Sequence, residues 1–146
     1  MSLELKAQAQ DLKILYVEDE EATRTQVTQI LSLFFKDVLV GIDGADALEI
    51  YKNNKDIDLI LSDLTMPKMN GFEMIKEIYK IDYRQHVIVL TAHNNSDSLM
   101  QTIDLQIDGF LLKPLKLDKL TELLLKVTKV INLEKESSLK EHKCIH

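Results

Sequence analysis

Several residue types are scarce in this sequence, and each shortage excludes a class of protein. Cys144 is the only cysteine among 146 residues, so no internal disulfide can form, which favours a cytoplasmic location over an oxidising compartment. The longest apolar runs, residues 87–90 and 123–125, are far too short to span a bilayer, and the polar start of the chain lacks a signal-peptide core. Basic residues number 18 against 24 acidic ones, and the net charge of −6 argues against direct contact with nucleic acid. These shortages predict an acidic, soluble domain with no membrane segment.

The residues that are present have the pattern of a single α/β domain. Apolar residues make up 45% and charged residues 29% of the chain, which is the balance of a globular protein. Five short apolar runs start near residues 12, 38, 57, 87 and 109, and each is followed by a stripe of apolar residues at helical spacing. The fourth of these stripes follows Ser96, a candidate helix N-cap. Strict alternation of strand and helix predicts a doubly wound parallel sheet with helices on both faces.

Polar side chains follow four of the five predicted strands. They are Glu18 and Asp19 after the first, Asp63 after the third, Thr91 after the fourth and Lys113 after the fifth. Because the carboxyl ends of parallel strands share one edge of the sheet, we expect these side chains to converge. Three converging carboxylates need a cation, and oxygen ligands without cysteine or imidazole favour Mg²⁺. A hydroxyl and an amine at the same edge can serve phosphoryl oxygens, and a carboxylate can act as the nucleophile in phosphoryl transfer.

Four motifs at these strand ends resemble the receiver domain of two-component response regulators. They are Glu18-Asp19, residues 63–71 (DLTMPKMNG), Thr91-Ala92 and residues 109–114 (GFLLKP). The resemblance extends over residues 12–131, and it implies a flavodoxin-like fold with five strands in the order 2-1-3-4-5 and five helices. It also implies a signalling switch that is controlled by phosphorylation.

The resemblance implies a metal-dependent phosphoacceptor. Asp63 would accept the phosphoryl group, and Glu18 and Asp19 would form the acidic pair that positions Mg²⁺, with Mn²⁺ as a substitute. Thr65 would supply a metal-ligating backbone carbonyl. The first acid is a glutamate where many relatives have aspartate, a change that keeps the charge.

The resemblance also implies residues that respond to the phosphoryl group. Thr91 would be the switch hydroxyl, Lys113 the cation that pairs with the phosphate, and Phe110 the aromatic switch residue. The peptide bond to Pro114 would be cis, and His93 is a candidate for tuning the lifetime of the phosphate. For Phe110 the switch role is favoured over the alternative of a simple core residue, whereas His93 can equally be an exposed loop residue without a role.

The implied partners are proteins. A sensor histidine kinase or a phosphotransfer protein would donate the phosphoryl group, and an output domain or target protein would read the result. The responding surface would be the face of the fourth predicted helix, the fifth strand and the fifth helix, which could also form a homodimer. The chain would catalyse only its own phosphorylation and dephosphorylation, so we do not expect an enzyme in the usual sense.

Other functions fit the same pattern less well. A stand-alone receiver that acts as a chemotaxis-type or phosphorelay adaptor is the main alternative. An aspartate-nucleophile phosphatase would call for a second acid at the position of Thr65 and a cap domain. A receiver that has lost phosphorylation is disfavoured because the acidic pair, Asp63, Thr91 and Lys113 are all present.

The two ends of the chain carry weaker signals. We expect an N-terminal extension at residues 1–11, the receiver domain at 12–131, and a helix continuation or tail at 132–146. In the last predicted helix an apolar stripe at 3–4 spacing favours packing on the core, while off-stripe residues leave apolar surface for a partner. The stripe is Leu117, Leu120, Leu124, Val127 and Ile131, and the off-stripe residues are Leu123, Leu125 and Val130. We do not expect metal binding by the terminal His142, Cys144 and His146.

Overall fold

The computed structural model describes residues 3–64, 70–91 and 106–145, of which the last seven are described as backbone only. The described residues form five strands and five helices that mostly alternate along the chain. The strands are β1 (Lys13–Val17), β2 (Asp37–Gly41), β3 (Leu59–Asp63), β4 (His86–Thr91) and β5 (Gly109–Leu112). The helices are α1 (Leu3–Ala9), α2 (Glu21–Ser32), α3 (Gly44–Asn53), α4 (Gly71–Ile81) and α5 (Leu117–Ile145). The predicted helix after Ser96 lies outside the described residues.

All five strands pair in parallel in the order β2-β1-β3-β4-β5, which confirms the predicted fold class. The sheet separates two apolar cores. Alternate residues of the central strands point to opposite faces, so Tyr16 of β1 packs in the core with α1, α2 and α5, while Leu15 packs in the core with α3 and α4. Burial on both faces explains why these strands are nearly continuous apolar runs.

Helix α1 was not expected from the sequence. Its residues Leu5 and Ala9, four positions apart on one helix face, are fully buried. Asn132 of α5 donates hydrogen bonds to the backbone and side-chain oxygens of Gln8, both at 2.8 Å, and Lys129 pairs with Glu4 at 2.6 Å. The first residues of the chain therefore pack on the last helix. The predicted domain boundaries near residues 11 and 131 stay predictions.

After residue 131 either a helix continuation or a tail was expected, and the last helix does continue through the polar residues as far as Ile145. Leu117 is half exposed although it was expected in the core stripe; it is the first residue of the helix, and the fully buried part of the stripe begins one turn later at Leu120. The predicted apolar surface is smaller than expected, since Leu123 and Leu125 pack against the core and only Val130 of that set is exposed.

Strand β3 lies two residues later than predicted. It was expected at residues 57–61, with Asp63 in the following loop, but Asp63 is the last strand residue. Asp58 precedes the strand and binds β1 instead: its backbone N–H donates to the carbonyl of Lys13, and its carboxylate accepts from the N–H of Lys13, each at 2.9 Å. In the described part of the chain, no helix is both long and apolar enough to cross a membrane.

Candidate functional site

The carboxyl edge of the sheet brings together the charged residues that were predicted to converge. Val17 of β1 is the parallel partner of Ser62 in β3, so the next residues along both strands, Glu18 and Asp63, come side by side on one face. Asp63 is in turn the partner of Leu90 in β4. Lys113 follows β5, and its backbone N–H donates to the carbonyl of Thr91 at 2.8 Å. Residues nearly one hundred positions apart thus meet because of the strand order.

Three carboxylates form a compact cluster at this edge. Glu18, Asp19 and Asp63 each offer an oxygen atom, and these atoms all lie within 4.8 Å of one another. Glu18 and Asp63 are buried, whereas Asp19 is exposed. Buried carboxylates this close together repel one another unless a positive charge is near. The cluster therefore has the geometry and the charge of a site for a cation.

Lys113 provides positive charge to the cluster. Its Nζ atom lies 2.9 Å from Oδ2 of Asp63 and 3.3 Å from Oε1 of Glu18. Burial opposes the charged form of this lysine, but the hydrogen bond to Asp63 and the charges of both carboxylates outweigh it, so the pKa of Lys113 is raised. Burial also raises the pKa of Glu18, although the N–H of Glu20 and the ammonium group of Lys113 act in the opposite direction.

Two residues without an assigned role in the sequence hold the cluster in place. Arg24 of α2 donates from Nη1 to the backbone carbonyls of Glu18 and Asp19, at 3.0 and 3.3 Å, which fixes the turn that carries the acidic pair. Gly71 begins α4 directly against the end of β3, where an added Cβ atom would overlap the carbonyl oxygen of Asp63. The side chain of Asn70 caps the same helix by accepting from the N–H of Glu73 at 2.8 Å. The role of Arg24 could not be inferred from its position in the sequence, whereas Gly71 belongs to the motif at residues 63–71.

The remaining predicted site residues are placed in part. Thr91 ends β4 and is buried at the same edge. Phe110 in β5 is 43% exposed, so it is not a core residue. The Lys113–Pro114 peptide bond is cis, the isomer that the resemblance implies. Thr65 and His93 lie outside the described residues, as does His146, and the side chains of His142 and Cys144 do too.

Tyr16 is a further residue near the cluster that the sequence did not single out. It lies two residues before Glu18 on the same strand face. Its hydroxyl group is buried and has no hydrogen-bond partner in the described part of the chain. Burial raises the pKa of this hydroxyl, and the negative charges of Glu18 and Asp63 raise it further. The tyrosine is therefore neutral, and its side chain packs in the core with α1, α2 and α5.

The arrangement suits a hard divalent cation together with an anionic ligand. All donor atoms of the described cluster are carboxylate oxygens, which are the ligands that Mg²⁺ takes in proteins, usually one or two of them along with water and phosphate oxygens. Lys113 adds a fixed positive charge beside Asp63. Mg²⁺ therefore fits the residues that are present.

Comparisons with known proteins agree with the fold. The model of the response regulator receiver domain family matches residues 14–125. The chemotaxis protein CheY of Thermotoga maritima is 33% identical over 118 residues, which are 80% of this chain and 98% of that protein. The regulator of RpoS from Escherichia coli K12 is 32% identical over 112 residues, which are 76% of this chain but only 33% of that protein.

Solved structures lead to the same family. A response regulator receiver domain protein from Clostridium thermocellum has a TM-score of 0.78 at 27% identity, covering 84% of this chain and 98% of that one. The structure of a CheX–CheY–BeF₃–Mg complex from Borrelia burgdorferi has a TM-score of 0.76 at 28% identity, covering 84% of this chain and 97% of that one. This chain belongs to the response regulator receiver domain family, the signalling modules of two-component systems.

Proposed function

We propose that this receiver domain accepts a phosphoryl group on Asp63 from a sensor histidine kinase or a phosphotransfer protein, in a reaction that depends on Mg²⁺. The observation that carries the proposal is the cluster of Glu18, Asp19 and Asp63 with Lys113 in contact. Asp63 is the member of the cluster that contacts the ammonium group most closely, at 2.9 Å. A phosphoryl group on Asp63 would therefore lie beside the ammonium group of Lys113, which could pair with a phosphoryl oxygen.

The transfer itself needs little more than positioning and charge neutralisation. An Oδ atom of Asp63 attacks phosphorus, the bond from phosphorus to the donor's leaving atom breaks, and the electron pair of that bond leaves with the donor. When the donor is a phosphohistidine, the leaving imidazole nitrogen takes up a proton. The product is an acyl phosphate on Asp63. Hydrolysis by water at phosphorus later returns the carboxylate and releases inorganic phosphate.

The other cluster residues would hold the reacting groups. Glu18 and Asp19 would ligate Mg²⁺, together with Asp63 and the backbone carbonyl of Thr65, and Mn²⁺ could replace it. The ion, when bound, neutralises negative charge that builds up on the phosphoryl oxygens. Lys113 would pair with one phosphoryl oxygen in place of the Asp63 carboxylate. The structure of the Borrelia burgdorferi CheY contains BeF₃ and Mg, which supports the same ligands for this chain.

The response would pass from Thr91 to the surface at β5. A phosphoryl group adds about two negative charges and strong acceptor oxygens, to which the hydroxyl of Thr91 could donate a hydrogen bond. Phe110 lies on the neighbouring strand and is partly exposed, and it would turn inward into the space that Thr91 vacates. His93 is a candidate for tuning the hydrolysis rate. Two discrete positions of these side chains would make a two-state switch.

The surface that would change is apolar with a basic rim. Phe110, Leu112 and Pro114 line a cavity of about 490 Å³ together with Lys116 and Lys119. Such a surface suits a target protein or output domain that presents apolar and acidic residues, and it could also form a homodimer. In the Borrelia burgdorferi complex, CheY is found together with a second protein, CheX, which supports a protein as the target here.

The test is phosphorylation by a small donor. The protein is incubated with acetyl phosphate and Mg²⁺, and its intact mass is measured with and without the ion. We expect the mass gain of one phosphoryl group, which is lost in Asp63→Asn and kept in the control Asp56→Asn, whose exposed carboxylate precedes β3 at the opposite edge. A mass gain that persists in Asp63→Asn, or one that is equally fast without a divalent ion, would overturn the proposal.

Activation can be followed with the same variants. Beryllofluoride with Mg²⁺ imitates the phosphoryl group without chemical transfer, and size-exclusion chromatography then reports the oligomeric state. A dimer that forms with the native chain but not with Asp63→Asn would assign the switch surface to self-association. A persistent monomer would assign it to a different protein.

A further inference from the structure

Helix α5 changes its mode of packing after Ile131. Apolar side chains pack on the domain up to that residue, and charged side chains contact the domain in the next turn. Among the side chains of the helix that the structure describes, which end at Ser138, Ile131 is the last buried apolar one, and Leu133 is already 64% exposed. Every described residue from Leu133 to Ser138 is exposed. The hydrophobic effect, which scales with buried apolar area, therefore contributes little to docking of the helix between Leu133 and Ser138.

Two charged side chains in the next turn reach back to the amino edge of the sheet. Oε1 of Glu134 lies 2.6 Å from Nε2 of His86 at the start of β4. Nζ of Lys135 lies 2.7 Å from Oδ1 of Asp58, which precedes β3. Charge pairs rather than apolar contacts thus hold this turn. They lie at the opposite end of the strands from Asp63, so none of the residues proposed for phosphorylation takes part.

The partners on the sheet side are fixed by further hydrogen bonds. Asp58 also accepts from the backbone N–H of Lys13 at 2.9 Å. His86 uses its second ring nitrogen, Nδ1, to contact Oδ1 of Asp108 at 2.9 Å, and Oδ2 of Asp108 accepts from the N–H of Val87 at 2.7 Å. The side chain of His86 is 14% exposed whereas that of Glu134 is 61% exposed. In each pair the partner on the sheet side, His86 or Asp58, is therefore mostly buried, and the partner on α5 is exposed.

The surroundings of His86 keep the imidazole positively charged. The hydrogen bond to Asp108 is the main cause, burial acts against it, and Glu134 adds to it, so that the pKa of His86 rises to about 9. His86 and Glu134 line a surface cavity. Its other charged groups come from the segment before β3, the segment before β4, and α5. They are Asp58, Asp82, Arg84 and Lys135. The charge of Asp108 also reaches α4, where burial and this carboxylate raise the pKa of Tyr79 to about 12.

We infer that Glu134 and Lys135, with His86 and Asp58, form a charge-operated latch that holds the last docked turn of α5 and opens without unfolding of the domain. The latch goes beyond the proposed phosphorylation and does not depend on it. It sets the direction in which residues 136–145 leave the domain. Because Glu134 and Lys135 are exposed, solvent screens both pairs, and each changes an equilibrium by only about two- to fivefold. The latch is therefore weak enough to open in the folded protein. Salt weakens it because ions screen exposed charges.

Amide hydrogen exchange followed by NMR tests the latch in the whole chain. Glu134→Gln removes one pair, and Glu136→Gln removes the same charge from an exposed residue two positions on. We expect protection of the amides at 133–138 to fall roughly two- to fivefold in Glu134→Gln, and not in Glu136→Gln. Protection at 120–131 should stay the same in both. Raising the salt from about 50 mM to about 1 M should lower protection at 133–138 in the native chain.

A second measurement reads the charge of His86 directly. An NMR pH titration of its ring protons should give a midpoint near pH 9 in the native chain, a lower midpoint in Glu134→Gln, and no change in Glu136→Gln. Equal protection of residues 133–138 in both variants, insensitivity to salt, or an identical His86 midpoint in both would overturn the inference. Loss of protection throughout the domain in Glu134→Gln would overturn it too, because the turn would then not open separately. Neither measurement needs Mg²⁺ or a phosphodonor, so failure of the latch is distinguishable from failure of phosphorylation.

Discussion

Replacing Lys113 by methionine removes the positive charge that contacts Glu18 and Asp63 but keeps most of the side-chain volume. The side chains of these two acids are 1% and 8% exposed, and that of the lysine is 33% exposed. Removing one partner of a fully buried ion pair costs about 3–5 kcal/mol. Because the lysine is partly open to solvent, which screens its charge, we expect a smaller loss of about 1–3 kcal/mol in the free energy of unfolding at pH 7.

The loss from Lys113→Met should depend on pH with a defined sign. Burial already raises the pKa of Glu18, and Lys113 opposes that rise, so removing the lysine raises the pKa further. A glutamate whose pKa is higher in the folded state than in the unfolded chain binds protons more tightly when folded. The folded state is therefore stabilised as the pH falls. The cost of the substitution should shrink between pH 7 and pH 5.

Urea unfolding followed by circular dichroism measures both effects. Lys116→Met is the matched control, since Lys116 is exposed three residues further on and loses the same charge. If the cluster binds Mg²⁺, saturating Mg²⁺ should also stabilise Lys113→Met more than the native chain. The reason is that the ion replaces the positive charge that the variant has lost. Equal stability of the two methionine variants at pH 7, or a cost that grows as the pH falls, would refute the charge-balance argument.

Three other substitutions test neighbouring features. Gly71→Ala should destabilise the fold by about 1–3 kcal/mol in thermal unfolding, because the added methyl group would overlap the carbonyl of Asp63; an unchanged midpoint would show that the start of α4 can move aside. Leu5→Ala should cost about 2–5 kcal/mol in urea unfolding, since Leu5 is fully buried, and no loss would mean that α1 is undocked in solution. Tyr16→Phe should be neutral or stabilising by up to about 2 kcal/mol, because the hydroxyl it removes is buried without a partner among the described residues; a clear loss of stability would reveal a partner.

The sheet and the position of the charged cluster could be predicted because their signals are local. Each strand is a short apolar run, and the polar residue that ends it is read directly from the sequence. Parallel pairing then forces Glu18, Asp63 and Lys113 to one edge, whatever the details of the helices. The predicted position of Asp63 is unaffected by the two-residue difference in β3, since moving a strand by two residues keeps each side chain on the same face.

Helix α1 could not be predicted, and the choice between a helix and a tail after residue 131 stayed open, because the signals at the two ends of the chain are not local. Helix α1 has seven residues and only Leu5 and Ala9 as buried anchors, too few for propensity or periodicity to show without the helix it packs on. The continuation of α5 is polar, and what holds its next turn is Glu134 on His86, 48 residues away. Arg24 likewise donates to backbone carbonyls. Every residue has a backbone carbonyl, so the sequence does not show which ones Arg24 contacts.

The length of helix α5 amplifies small changes in its tilt. Its 29 residues extend for roughly 43 Å at the usual rise of 1.5 Å per residue. The helix begins four residues after Lys113 and passes the His86 contact about two thirds of the way along. With the pivot at Ile131, which is buried, a tilt of about 10° would swing the far end by roughly 3–4 Å, since that arm is about 21 Å long. A displacement of that size is enough to make or break a side-chain contact, so a weak electrostatic hold at one turn can govern what the end of the helix reaches.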